Sequence, residues 1–372
     1  MSYNYKLLLL SKKNGLEHKV TISDIARELN TTAATVSRAL SNHPSISIKT
    51  KEAVQKTATR LKYKKNTIAA SLQSGKTNFI GVIIPSAEIT FFGSVIHGIE
   101  SIANLNGYNI LIYQSNENME HEAKGIETFL SARVDGILAS ISKNTTDFNH
   151  FLEVKARNIP LVFFDRTNDN LGLPSVVIDD FKGAFLATEH LIKQGYKRIA
   201  HITAAQHIKI WNTRLKGYKK ALATYKIPFD PELIYVGDIS VESGKEAVKF
   251  FFDKPNPPDA IFAVEDFTAL GVIKELKDRK VKIPEEVGVI GFANELFAEH
   301  ITPALSTVDQ QTVLMGKESI KLLLELISGK EKIESSKRKV VLEPIPIFRK
   351  SSMRKVMPVK SETKRIITKQ TK

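Results

Sequence analysis

VTISDIARELNTTAATVSRALSNHPSISIKTKEAVQKTATRLKYKKNTIAASLQSGK, residues 20–76, holds three short helical patterns in close succession. Thr21 stands three residues before Asp24, the spacing of a capping box. Ile22, Ile25, Ala26 and Leu29 then follow at helical spacing and form one apolar stripe. Asn30 ends that run, and asparagine tolerates the left-handed backbone that a sharp turn needs. Thr31 or Thr32 can cap a second helix through Ala33–Leu40. Val36, Ala39 and Leu40 make its apolar face, while the opposite face offers small side chains, hydroxyls and Arg38. Such a face is slim enough for a major groove, and a guanidinium can fork onto guanine. Ser47 can cap a third helix containing Ala53, Val54, Thr57, Ala58 and Leu61. The last piece, Ile68–Leu72, is too short to be a stable helix alone and would fold only on a partner surface.

A helix–turn–helix by itself also occurs in proteins that never touch DNA. Charge separates the two readings. Residues 1–78 carry a net +10 and residues 349–372 a net +8, leaving −4 on the long segment between them. That is the footprint of a nucleic-acid binder with a separate sensor. Lys62, Lys64, Lys65 and Lys76 are candidate phosphate contacts, which position a protein without specifying sequence. With 372 residues, 42% of them apolar, the chain has room for two or three domains. It contains no cysteine, which excludes disulfides, zinc-thiolate sites and cysteine nucleophiles. Leu7–Leu10 is too short for a signal sequence or membrane span, so residues 1–18 read as a flexible leader and residues 351–372 as a basic, disordered tail.

The segments TISDIAREL, AATVSRAL, HPSISIKTKEAV, LKYKKNTIAASLQSGKT and IGVIIP, in that order, make the chain similar to the LacI/GalR family of bacterial transcription regulators, from Val20 to about Arg349. The resemblance implies that Ala33, Ala34, Ser37 and Arg38 face the major groove, flanked by Thr32 and Thr35. It also implies a hinge helix at Asn66–Ser74, with Asn66 and Ala69 at the DNA and Leu72 wedged into a minor-groove base step. Two positions depart from the pattern. Ala33 and Ala34 offer no hydrogen bonds where relatives carry polar readers, which leaves methyl contact and shape to choose bases. Ala70 stands where many relatives carry arginine.

After Thr77 the sequence alternates apolar strands with helices, the signature of a parallel sheet covered on both faces. Strands are expected at FIGVIIP, NILIYQS, DGILAS and PLVFFD, then at SVVIDD, RIAHIT, Leu233–Val236, AIFAVE and VGVIGF. Two α/β units of about 100 residues each follow. The resemblance names this the periplasmic-binding-protein-like (type I) fold, with the chain crossing near residues 178 and 307 and after about 337. The expected plan is therefore a helix–turn–helix domain at 19–65, a hinge and linker at 66–77, and a sensor domain at 78–350. In the sensor, one subdomain takes 78–177 and 308–336, the other 178–307 and 337–350.

Ligands of open parallel sheets bind beyond the carboxyl ends of the strands. Those ends carry Ser86 with Phe91 and Phe92, Asn116, Asp165 with Arg166, Trp211 in an expected loop, Arg214 and Glu265-Asp266. Asn294 and Asp309-Gln310 complete the set. Carboxylates, amides and an arginine beside aromatic rings suit a polyhydroxylated ligand. Arg214 sits in RLKGY, which resembles the family's effector-binding motif, and Asp266 matches a family effector position. Ala293 stands where the family often has an aspartate, which weakens a simple-hexose reading. Structural alternatives exist for several: Asp165 and Asp266 could cap turns or helices, and Phe91 and Phe92 could be plain core.

The leading reading is a cytoplasmic, nucleoid-associated, dimeric or tetrameric transcription regulator of the repressor type. It would bind double-stranded operator DNA under control of a carbohydrate-like effector. The alternative is a transport-type sugar-binding protein, which leaves residues 20–76 unexplained. No cofactor, metal site or membrane contact is expected. An enzyme is disfavoured because Asp179-Asp180 and Glu265-Asp266 are adjacent at expected strand ends and would point to opposite faces.

Overall fold

The computed structural model describes residues 20–63, 76–204, 209–329 and 338–354. They fall into two compact units that divide after Thr77. The first contains α1 (Ile22–Glu28), α2 (Ala33–Leu40) and α3 (Ile48–Arg60). Each helix opens on a hydroxyl residue. The Asp24 carboxylate accepts from the Thr21 backbone N–H at 2.9 Å, while the Thr32 and Ser47 hydroxyls accept from Thr35 and Thr50 at 3.1 and 3.2 Å. Thr32, not Thr31, is thus the second cap. Asn30 takes a left-handed backbone, φ 49°, in the turn between α1 and α2. Ile25, Val36 and Val54, one from each helix, meet in a shared core closed by Ala26, Ala39 and Ala58. Three short helices that would be marginal alone are stabilised by this common apolar face.

The second unit holds two parallel sheets. The first runs in the order β11-β5-β4-β3-β1-β2, with β1 Phe79–Ile84, β2 Asn109–Gln114, β3 Gly136–Ala139, β4 Leu161–Phe164, β5 Ser175–Ile178 and β11 Lys339–Leu342. The second is β7-β6-β8-β9, from Ile234–Val236, Ile199–Thr203, Ala260–Ala263 and Gly288–Ile290. β10 (Thr307–Asp309) pairs with β12 (Ile345–Ile347) antiparallel and touches the second sheet through Ile290–Ser306 and Ala293–Asp309 bridges. β3, β4 and β8 are buried from end to end and β1 from its second residue, which is why they read as unbroken apolar runs.

Helices α4 (Thr90–Ala103), α5 (Met119–Ser131), α6 (Asn149–Ala156) and α11 (Thr312–Ile327) cover the first sheet. Helices α7 (Asp180–Lys193), α8 (Lys209–Thr224), α9 (Val241–Phe252) and α10 (Asp266–Asp278) cover the second. Three helix pairs meet backbone to backbone. A Cβ on Gly98 of α4 would lie 2.2 Å from the Val313 carbonyl of α11, and one on Gly316 would lie 2.1 Å from Val95. Gly244 and Gly271 join α9 to α10 in the same way, at 2.1 and 1.9 Å, and a Cβ on Gly217 of α8 would lie 2.3 Å from the Phe181 carbonyl of α7. Only glycine allows this approach.

The chain passes between the halves after β5, after β10 and after β11. The third crossing comes later than expected. Lys339–Leu342 pairs with Ser175–Ile178 in the first sheet, so the chain leaves that half beyond Leu342, not after 337. A short run such as KVVL suits either sheet, and only strand pairing decides. The crossings are tied together: Asp179 N–H donates to the Leu342 carbonyl at 3.0 Å, and the Gln311 side chain donates to the Glu343 carbonyl at 2.5 Å. No helix among the described residues is long and apolar enough to cross a membrane.

Candidate functional site

A cavity of about 720 Å³ opens between the two halves of the second unit, at the carboxyl ends of β1, β4, β6 and β8. From the first half come Ser86, Phe91, Phe92, Asp165 and Arg166; from the second come Trp211, Arg214, Glu265, Phe267 and Ala293, with Gln310 at a crossing. Asp165 has φ 58°, and Ala293 φ 128°, conformations that non-glycine residues hold only when surroundings impose them. Phe92 is fully buried and Phe91 nearly so, with their rings 5.0 Å apart edge to face. Both therefore serve the core as well as the wall. Trp211 lies in the first turn of α8, not in a loop, and packs with Ala204, Ile210 and Val264.

Arg214 is the most constrained group. It is 3% exposed. Its Nε donates to Asp180 at 2.8 Å, one terminal nitrogen to the Val264 carbonyl at 2.7 Å, and the other to the Gln310 amide oxygen at 3.1 Å. The guanidinium carbon lies 3.6 Å from the centroid of the Phe292 ring. Position and orientation are thus set before any ligand arrives, and two of the five guanidinium donors remain. Asp180, beneath it, is raised by burial against the lowering effect of Arg214.

Four expected cavity residues, Asn116, Asp266, Asn294 and Asp309, are elsewhere. Asp266 is fully buried at the first position of α10, where its carboxylate accepts from the Thr307 hydroxyl at 2.7 Å and the Glu295 N–H at 2.8 Å. Burial pushes its carboxyl up to about 7. Asn294 donates to Asp309 at 2.8 Å and accepts from Arg349 at 3.0 Å, so its amide is spent on holding strands. Asn116 turns to Gln114. The residue that reaches the cavity from this region is Glu265, one position before Asp266. It is 9% exposed, caps α10 through Phe267 N–H at 2.8 Å, and is pushed well above the usual carboxylate range by burial and by Asp266. Burial also pushes Asp165 up to about 6. Glu117 and Arg166 pair at 2.8 Å on the opposite wall. Arg166 is expected from the sequence beside Asp165, whereas Glu117 is not, because it follows Asn116, the residue that marks its strand end. The Asp179-Asp180 and Glu265-Asp266 pairs open helices instead of ending strands, and in each the first carboxylate caps while the second is buried.

In the N-terminal unit, Thr32, Ala34 and Arg38 of the α2 region are exposed and Ala33, Thr35 and Ser37 half-buried. Arg27 pairs with Asp24 at 3.3 Å and Arg60 with Glu28, whereas Arg38 makes no ion pair among the described residues. Asn66, Ala69 and Leu72 lie outside the described residues. Among the described residues no group of three or more His, Asp or Glu is placed to hold a metal ion.

Residues 21–66 match the family described as bacterial regulatory proteins, lacI family, and residues 188–352 match the periplasmic binding protein-like domain. Catabolite control protein A of Priestia megaterium is 36% identical over 318 residues, which cover 85% of this chain and 95% of that protein. The chain belongs to the LacI family of bacterial regulatory proteins. Among solved structures, the complex of the transcriptional regulator CelR with cellobiose is 27% identical, with a TM-score of 0.67 over 89% of this chain and 99% of the other. The lac repressor dimer bound to operator and the anti-inducer ONPF shares the fold at a TM-score of 0.81 and 24% identity, over 90% and 99% of the two chains. The relatives of this LacI-family chain are transcription regulators, not enzymes, and its helix–turn–helix has no counterpart in the transport-type reading.

Proposed function

We propose that the chain is an effector-controlled transcriptional repressor whose cavity receives a carbohydrate-like ligand. Arg214 carries the reading: a buried guanidinium, fixed on four sides and fronting a cavity with aromatic walls, is preorganised for a polyhydroxylated molecule. The relative solved with cellobiose supports the same ligand class. On the output side, Thr32, Ala33, Ala34, Thr35, Ser37 and Arg38 would read the major groove. Asn66, Ala69 and Leu72 would belong to a hinge at 66–77 that engages the minor groove. Two copies would present two recognition helices to the half-sites of a near-palindromic operator, as dimers do. Ligand binding would close the halves on each other and change the spacing of the two hinges; the sign of the coupling is set by which state the ligand prefers.

The test is selection of a binding sequence from randomised duplexes by the full chain. Fluorescence anisotropy then compares the selected duplex with a scrambled one. Arg38→Ala is expected to reduce the preference for the selected duplex by about 10- to 100-fold, the worth of a forked guanine contact. An unchanged preference would remove Arg38 from the reading face.

A further inference from the structure

The charges that face the cavity do not balance. Among the described residues its wall carries five carboxylates and three cations. Each of the three cations already has a partner. Arg166 faces Glu117 at 2.8 Å, Arg214 faces Asp180 at 2.8 Å, and Lys143 has a partner of its own. Asp165 and Glu265 remain, one from each half: Asp165 is half-buried and shares Arg166 with Glu117, whereas Glu265 is buried and has no ion pair among the described residues. Asp165 meets the Ser140 hydroxyl at 3.3 Å and the Arg166 Nε only at 3.9 Å; Glu265 meets a backbone N–H. The second oxygen of each carboxylate has no hydrogen bond among the described residues. Glu88 and Asp238 add two more negative groups, both exposed, at the rim.

We propose that the effector carries a protonated amine, an aminated saccharide whose ammonium meets Glu265 while its ring lies against Phe91, Trp211 and Phe267. The inference rests on the cavity being the effector site and adds the ligand's charge. A neutral sugar would leave Glu265 uncompensated, and a phosphorylated or acidic sugar would add like charge to a wall rich in carboxylates. An ammonium meets both needs, because it donates three hydrogen bonds and is attracted by ring faces. The raised affinity of Glu265 for a proton agrees: its neighbours are Asp266, Glu295 and only one cation, Arg214.

The experiment uses the full chain and matched ligands at pH 7: glucose, glucosamine, N-acetylglucosamine, glucose 6-phosphate, cellobiose and the fully deacetylated chitobiose. Binding is read by calorimetry in two buffers of different ionisation enthalpy, and function by release or retention of the selected duplex. The amine members are expected to bind at least about tenfold more tightly than their neutral partners, as a single compensated charge implies. Glu265→Gln keeps the cap on Phe267 and is expected to abolish the preference of amine over neutral members. Equal or tighter binding of a neutral or phosphorylated member overturns the amine, as does a preference that survives Glu265→Gln. Binding by a neutral member that alters duplex affinity would leave the repressor reading standing. If no member binds up to about 10 mM, the affinity of a single weak contact set, while duplex binding is intact, both the amine and the saccharide class fall.

Discussion

Helices α7 and α10 begin alike and end up with different tasks. Each opens with a capping carboxylate followed by a buried one: Asp179-Asp180 in α7 and Glu265-Asp266 in α10. In α7 the buried member faces a cation, Arg214, and so fixes a side chain on the cavity wall. In α10 the buried member faces only a hydroxyl and an amide N–H, and it is the capping member that reaches the cavity. The same dipeptide grammar therefore yields a support at the start of one helix and a cavity-facing group at the start of the other. The neighbours decide which, not the position at the end of a strand.

The largest expected effect comes from removing the cation that distinguishes α7. Arg214→Ala leaves Asp180 buried and uncompensated, and should lower unfolding stability in urea by about 3–5 kcal/mol, with loss of the ligand response. Arg214→Ala combined with Asp180→Ala should recover part of that loss. Strict additivity of the two would mean that the pair is not coupled and that the contrast with α10 is false.

Asp266 offers a sharper test through pH. Its carboxyl is pushed up to about 7 from 3.8, so the folded chain binds this proton more tightly than the unfolded chain does. The associated stability is fully present below about pH 4 and is lost as pH rises through about 7. Asp266→Asn keeps an acceptor for Glu295 and turns its amide toward Thr307. It should flatten the stability profile across that window at little loss near neutrality, as measured by thermal unfolding in a pH series. A wild-type profile that rises over the same range would contradict the assignment. The smallest effect belongs to the cap that has no second task. Asp179→Ala should cost about 1 kcal/mol, within the range for lost helix caps, and leave ligand binding unchanged.

Much of this was legible beforehand because burial writes itself into sequence. Fully covered strands leave unbroken apolar runs, and cap residues mark α1, α2 and α3 at their first positions. Arg214 stood out by its motif. What escaped depended on single-residue boundaries or on pairing. A shift of one residue at the start of α10 exchanges Glu265 for Asp266 at the cavity, and pattern alone places helix starts no more closely than that. Asn294 looked like a ligand group because its partners, Asp309 and Arg349, lie far along the chain. The late third crossing was hidden because Lys339–Leu342 carries no mark of which sheet it joins.

The glycine contacts between helix pairs separate two kinds of evolutionary freedom. At Gly98, Gly217, Gly244, Gly271 and Gly316 the nearest atoms are main chain, which has no alternative rotamer to offer, so even a methyl group must push the helices apart. The residues that front the cavity, such as Trp211, Glu265 and Ala293, touch none of these seams. The cavity wall can therefore drift, or be redesigned, on one set of positions while the frame that locks the helix pairs stays unaltered on another.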